Sequence, residues 1–343
     1  MNNAMITDSV KNYYGEVLSN KYDLKTSACC PIDAMPRYLL PLLKNLHSEI
    51  QEKFYGCGSP IPHALEGKTV LDLGCGTGRD AYLLSQLVGE SGQVIGIDMT
   101  DKQLDVARAH QDFHQQAFQH QRSNVSFHQS YIEDLSQHII DNSIDVVVSN
   151  CVINLSPNKH QVFKEIFRVL KPGGELYFSD VFASRRIPDA IFKDPVLLGE
   201  CLGGAMYMPD FRRMLNTLGI FDIRTVSQGE IELHDEEVLE KAGMIEFSSA
   251  TVRIFKLDLE DDCEDYGHVA IYQGGIKHSP HAFVLDDHHV FKTGLPVPIC
   301  GNTANMLSQS RYHPYFTIHG DFSQHYGHFD CSDDAPVDPS NCC

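Results

Sequence analysis

From Gly67 to about Asp180 two hydrophobic periods alternate. Short, continuously apolar runs read as buried strands: Val70–Leu73, Gln93–Asp98, Asn124–His128, Ile144–Ser149 and Glu175–Asp180. Between them lie stretches of helical period, Arg79–Val88, Asp101–Phe118 and Gln161–Leu170, the last stopped by the turn Lys171-Pro-Gly-Gly174. This order predicts an α/β fold with a parallel, doubly wound, Rossmann-like sheet. Ahead of it the pattern predicts helices around Asp8–Val17 and Arg37–Lys53, then a turn at Tyr55-Gly-Cys-Gly-Ser-Pro60. Behind it, Val196–Met206 carries Glu200-Cys-Leu-Gly-Gly204, residues 209–218 read as helical and residues 247–256 as a strand. From Cys263 onward the chain is short strands and turns rich in His, Gly and Asp, with the last dozen residues as a tail. The expected divisions are an N-terminal segment (1–60), the sheet domain (61–184), a smaller module (185–260) and a β-rich extension (261–343).

Composition narrows the function classes. A formal charge of −19 over 343 residues repels nucleic acid, so a small substrate is expected. No apolar run reaches the about 20 residues of a membrane span and no secretory signal opens the chain, giving the expectation of a soluble, cytoplasmic protein without a membrane partner. Eleven cysteines in such a chain favour thiol chemistry or metal binding over a disulfide framework.

The candidate chemistry gathers at Val70-Leu-Asp-Leu-Gly-Cys-Gly-Thr-Gly-Arg-Asp80. Gly74, Gly76 and Gly78 stand where a strand meets a helix, so a ligand can approach the backbone closely. The spacing is GxGxG, since Arg79 occupies the third glycine position of a dinucleotide fingerprint. With Asp72 before the loop and Asp98 ending the second strand, suited to ribose hydroxyls, the set resembles the S-adenosylmethionine (SAM) site of a methyltransferase. In such sheets ligands sit beyond the carboxyl ends of the strands, where Asp98, Glu133 and Asn150 are expected to share one crevice.

Tyr55-Gly-Cys-Gly, Gly78-Arg-Asp, Gly96-Ile-Asp-Met-Thr, Val148-Ser-Asn-Cys-Val-Ile-Asn-Leu, Leu176-Tyr-Phe-Ser-Asp and Gly199-Glu-Cys-Leu-Gly-Gly-Ala together resemble the arsenite methyltransferase family from about residue 10 to 270. The resemblance implies that Gly74, Gly76 and Gly78 line the methionine and ribose end of SAM, that Asp98 holds the ribose, and that Met99 and Ile132 sandwich the adenine beside Glu133. It places Tyr55 and Asn150 at the reacting methyl, and Cys57 and Cys201 as thiolate ligands of trivalent arsenic. The module at 185–260 would then be the arsenic-binding one. Cys29 and Cys30 match a position that can pair with Cys57 in a resting disulfide, opened by a thioredoxin- or glutathione-type thiol reductant; an ordinary exposed thiol pair remains the alternative.

Trivalent arsenic is soft and thiophilic, and on thiolates it keeps a lone pair able to take a methyl group from SAM in line, so the enzyme contributes mainly proximity. A third family thiol is expected just before the Ser-Ala-Thr strand, where this chain reads Gly243-Met-Ile-Glu-Phe247. A thioether cannot replace a thiolate, so Met244 predicts a preference for monomethylarsenite, which needs two sulfurs, over arsenite, which takes three. Cys75 and Cys151 read as buried core residues, and Cys342-Cys343 as part of the tail. His288, His289, Asp286, Asp287 and Cys300 lack zinc spacing and read as a solvated loop. Two other functions stay open: methylation of another small, soft or thiol-bearing substrate, and non-catalytic sequestration of arsenic.

Overall fold

The computed structural model describes residues 3–13, 35–54, 56 and 58–330. Tyr55, Cys57, Cys29, Cys30 and the Cys342-Cys343 tail lie outside them. In chain order the helices are α1 (Asn3–Asn12), α2 (Leu40–Leu43), α3 (Ser48–Glu52), α4 (Arg79–Val88), α5 (Asp101–Ala109), α6 (Gln111–Ala117), α7 (Lys159–Val169), α8 (Asp189–Phe192), α9 (Pro195–Gly199), α10 (Met208–Asn216), α11 (Glu236–Ala242) and α12 (Gly301–Gln309). The sheet strands are β1 (Thr69–Leu73), β2 (Gln93–Asp98), β3 (Val125–Gln129), β4 (Ile144–Asn150), β5 (Leu170–Ala183), β6 (Met206–Tyr207), β7 (Arg224–Ile231) and β8 (Phe247–Phe255). Among the described residues no helix is long and apolar enough to cross a membrane.

The main sheet runs β3-β2-β1-β4-β5-β8-β7, with β6 on the end of β5. Strands β1 to β5 are parallel, as the alternation of periods predicts. Leu73 pairs with both Ile97 and Ser149, so β1, β2 and β4 end level, and Gly74, Asp98 and Asn150 follow on one rim. The sheet is packed on both faces, by one cluster around Leu73, Ile97, Val147 and Phe178 and another around Val70, Leu83, Val94 and Val148.

Several expected elements are cut or extended for local reasons. The helix expected over Arg37–Lys53 is broken because His47 takes an extended conformation and caps α3, its Nδ1 accepting the Glu49 N–H at 3.3 Å. The one over Asp101–Phe118 divides at His110, whose carbonyl pairs with the ring of His114 at 2.7 Å. Lys171–Gly174, expected as a turn, belongs to β5, because Gly173 N–H donates to Lys256 O and Lys256 N–H to Gly174 O, each at 2.8 Å. The boundary expected at 184/185 cuts one continuous sheet: β8 pairs antiparallel with β5 from Phe247 to Phe255, and β7 extends β8.

Beyond residue 260 follow β9 (Glu264–Asp265), β10 (His268–Tyr272), β11 (Ala282–Val284), β12 (Val290–Lys292), β13 (Pro296–Ile299), β14 (Phe316–His319) and β15 (Gly327–His328). They form small sheets, β13-β10-β14, β11-β12 and β15-β9, together with α12, a helix that the expectation of strands and turns missed. This extension is fastened to the main sheet by a buried charge cluster. Glu175 of β5 is 0 % exposed and meets Arg253 of β8 at 2.5 Å, and it also meets Arg311 of the extension. Arg253 in turn donates to Leu285 O. We expect Glu175→Gln to leave two buried guanidinium groups without their counter-charge and to cost about 3–5 kcal/mol. Chemical denaturation checks this; a loss under about 1 kcal/mol, the scale of an exposed pair, would contradict it.

Candidate functional site

The crevice lies on the rim that β1, β2 and β4 share, and its lining includes Asp72, Gly74, Gly76, Asp98, Met99, Ile132, Glu133, Asn150 and Cys151. All the cofactor residues expected from sequence and described in the structure meet there, except Gly78, the N-cap of α4, whose neighbours Thr77 and Arg79 line the crevice in its stead. Gly74, Gly76 and Gly78 all have positive φ. The reasons differ: a Cβ on Gly74 would come within 2.3 Å of Val152, whereas one on Gly76 would meet nothing nearer than 3.9 Å. Gly76 therefore borders open space that a ligand can use. Asp98 shapes the loop, its two oxygens accepting Gly76 N–H at 2.9 Å and Thr100 N–H at 2.8 Å.

Asp72 is 3 % exposed, and its Oδ2 has no hydrogen-bond partner among the described residues. Burial, with Asp80 and Asp98 close by, raises its pKa well above the carboxylate range. Burial raises Asp98 as well, against the pull of the backbone N–H groups it accepts. An unpartnered buried acceptor, an open glycine and a strand-end acid fit a cofactor carrying an ammonium, a sulfonium and a ribose.

Asn150 clamps the far wall. Its amide donates to Asp80 and to Gly58 O, both at 2.9 Å, and its oxygen accepts Gly58 N–H at 3.2 Å. A Cβ on Gly56 would fall 2.8 Å from Asn150, and one on Gly58 2.6 Å from Ser179. Both neighbours of Cys57 are thus seated against β4 and β5, although Cys57 itself, like Tyr55, lies outside the described residues. The Arg79 guanidinium stacks 3.1 Å above the Phe54 ring, steadying the approach to this loop. Across the crevice Glu133 accepts the Ser156 hydroxyl.

The sulfur arrangement differs from expectation. Cys151, read as core, stands beside Cys201: ligand atoms of Cys151, Asp180 and Cys201 all lie within 4.8 Å of one another, and the Cys201 thiol donates to Cys151 O at 3.2 Å. Both cysteines have positive φ, +57° and +63°, a conformation costing of order 1–3 kcal/mol per residue that clusters at functional sites. Met244, in contrast, is 80 % exposed, past the end of α11 and aimed into solvent. It holds no ligand position, so the reason for expecting a monomethylarsenite preference is removed. The signal that could have found Cys151 was its place directly after Asn150, on the strand end already used to select Asn150.

Cys151 is disulfide-bonded, while Cys75, Cys201, Cys263 and Cys300 are thiols, so the other half of the bond lies outside the described residues. Asp180, deeply buried, accepts Asn154 N–H at 3.0 Å and Val181 N–H at 2.9 Å, and burial pushes it up to about 7. Burial brings Lys159 down to about 8, with Asp180, Cys201 and Glu133 pulling the other way. The supposed solvated loop is also different: Asp286 is 1 % exposed and binds His289 at 2.7 Å and Arg224 at 3.1 Å, which makes it part of an ion network.

Residues 64–243 match the methyltransferase domain family, and residues 266–341 match the arsenite methyltransferase C-terminal domain. An arsenite methyltransferase of Aquipseudomonas alcaligenes is 54 % identical, covering 96 % of each chain. The chain belongs to the arsenite methyltransferase family. The human arsenite methyltransferase is 42 % identical over 93 % of this chain and 85 % of its own. The crystal structure of an arsenic(III) S-adenosylmethionine methyltransferase from Chlamydomonas reinhardtii superposes with a TM-score of 0.84 at 48 % identity, covering 87 % of this chain and all of that one. This family member is a SAM-dependent methyltransferase with the class I fold of those enzymes. We expect Gly76→Val, which both fills the open space over the loop and strains its left-handed backbone (φ +52°), to weaken SAM binding at least about tenfold without unfolding the sheet. Isothermal titration beside a thermal melt checks this; unchanged affinity would mean that the ligand does not lie over Gly76.

Proposed function

We propose that the enzyme methylates trivalent arsenicals, with Cys151 and Cys201 as the pair of thiolates that holds the arsenic and Cys57 as the third sulfur. The observation that carries this reading is the buried Cys151–Asp180–Cys201 group at the edge of the methyl-donor crevice. Arsenic(III) is soft, and two adjacent sulfurs with no room for bulk water suit it better than an oxygen-seeking ion. SAM supplies an electrophilic methyl group, which the lone pair of thiolate-bound arsenic can accept.

The chain's own residues do the positioning. Asp72 and the Gly74–Gly78 loop would hold the amino-acid end of the donor, Asp98 its ribose, Met99 and Ile132 its adenine, and Glu133 the adenine edge. Asn150 and Tyr55 would border the methyl. Asn150 fixes Gly58, and with it the loop that carries Cys57, to the same strand end that presents Cys151. Cys57 follows Gly56 and precedes Gly58, so it would be the third sulfur that arsenite, with its three exchangeable valences, calls for.

The Cys151 disulfide has to open before that sulfur can bind arsenic, so turnover requires a thiol reductant of the thioredoxin or glutathione type. Cys29 and Cys30 are the candidate redox partners on the protein side.

Substitution separates the roles. Cys201→Ser and Cys151→Ser should each abolish methylation of both arsenite and monomethylarsenite while leaving SAM affinity within about twofold. Cys57→Ser should lower arsenite turnover by more than about tenfold yet spare monomethylarsenite, which needs only two sulfurs. Met244→Cys should leave the ratio of the two unchanged. Chromatographic speciation of the methylated products reads all four; retained arsenite turnover in Cys201→Ser would overturn the assignment.

A further inference from the structure

Two cysteines of the extension take no part in the chemistry above. We propose that Cys263 and Cys300 form a thiol–disulfide exchange pair, with Cys263 the entry sulfur for low-molecular-weight disulfides and Cys300 the resolving sulfur.

The two are held together by the fold. Cys300 follows β13 directly and occupies the N-cap position of α12, and it is 0 % exposed. Cys263 is half-buried, on the segment leading into β9. That segment is tied to the start of α12 by Asn302, whose side chain accepts Glu260 N–H and donates to Glu260 O, both at 2.9 Å. The Cys263 thiol hydrogen-bonds to Cys300. Around the buried sulfur stand Thr303 Oγ1 at 3.3 Å and the Arg224 guanidinium at 3.9 Å, with His268 facing it from β10. The Cys263 hydrogen bond first, then Arg224 and Thr303, hold the Cys300 thiol below its usual range despite burial. A reachable thiol beside a buried, charge-stabilised one is the arrangement that exchange needs, because only the outer sulfur meets the reagent while the inner one is poised to attack.

The steps balance without any further oxidant. The Cys263 thiolate attacks a disulfide RSSR, forming a Cys263–SR bond and releasing one RS⁻, which takes up the proton lost by Cys263. The Cys300 thiolate then attacks the Cys263 sulfur, closing the Cys263–Cys300 bond and releasing the second RS⁻, which is protonated in turn. The protein loses two electrons, and RSSR gains them as two RSH. Closure takes a negative charge from Arg224, which keeps Asp222 at 2.5 Å and Asp286 at 3.1 Å, so the joint between β7 and the extension survives oxidation.

The test treats the reduced, full-length enzyme with oxidised glutathione and maps unreduced peptides by mass spectrometry. The wild type should yield a Cys263–Cys300 linked peptide. Cys300→Ser should stop at glutathione on Cys263, raised at least tenfold over the wild type, and Cys263→Ser should leave Cys300 unmodified. Should the Cys300 variant fail to fold, the wild type and the Cys263 variant decide the matter, Cys263 being only half-buried. Absence of the linked peptide from the wild type, or glutathione on Cys300 in Cys263→Ser, would overturn the proposal.

Discussion

The end of β4 is the constraint on which the site depends. Parallel pairing carries the chain to Asn150 with its neighbours in register, and there the strand stops. Cys151 stands just beyond the last strand residue with a left-handed φ, so the two adjacent side chains meet different partners. Asn150 reaches Asp80 and the Gly58 peptide, on the cofactor side. Cys151, turned by its positive φ, meets Cys201 on the other. Its N–H still donates to Ser179 O at 2.9 Å, so β5 holds the strained residue in place. Glycine is the residue such a conformation favours, and a cysteine in each of two facing left-handed positions is most simply accounted for by the sulfur itself.

Electrostatics point the same way. Asp72, Asp80 and Asp98 crowd one end of the crevice, and burial makes the ionised forms of Asp72 and Asp98 costly, a cost that Arg79, paired with Asp80 at 2.7 Å, offsets in part at Asp72. A donor bearing an ammonium and a sulfonium relieves that cost, while the neutral product of methyl transfer, having lost the sulfonium charge, relieves less of it.

Much of this was legible in the sequence. The five parallel strands announce themselves as apolar runs, and the loop from Gly74 to Gly78 with Asp98 locates the crevice, because strand ends and glycines are local signals. What sequence could not supply was partnership between distant segments. Cys151 looks like core until Cys201, fifty residues on, is folded against it. Met244 looks like a lost ligand only until its side chain is seen in solvent. Residues 224–231 and 247–255 read as a separate module because antiparallel addition to β5 leaves no mark on local periodicity. α12 was missed because its apolar positions are sparse and its stability comes from packing Met306 and Leu307 into the extension core.

Glu175 shows why the extension and the sheet are one folded unit despite matching separate families. A carboxylate at 0 % exposure in the middle of a sheet is destabilising on its own, and Arg253, from the neighbouring strand, neutralises it. Arg253 still needs acceptors for its remaining N–H groups, and it finds one in Leu285 O, while Arg311 and Tyr312 complete the shell around the carboxylate. These last three residues all come from beyond residue 260. Without the extension, Glu175 and Arg253 would keep each other but lose their remaining partners, in a place where water would have to enter the sheet to replace them. Within β5, Leu170–Ala183, Glu175 lies in the middle of the strand and Asp180, beside the paired cysteines, nearer its carboxyl end. The strand that anchors the extension through Glu175 is thus the same one that supplies the acid of the sulfur site.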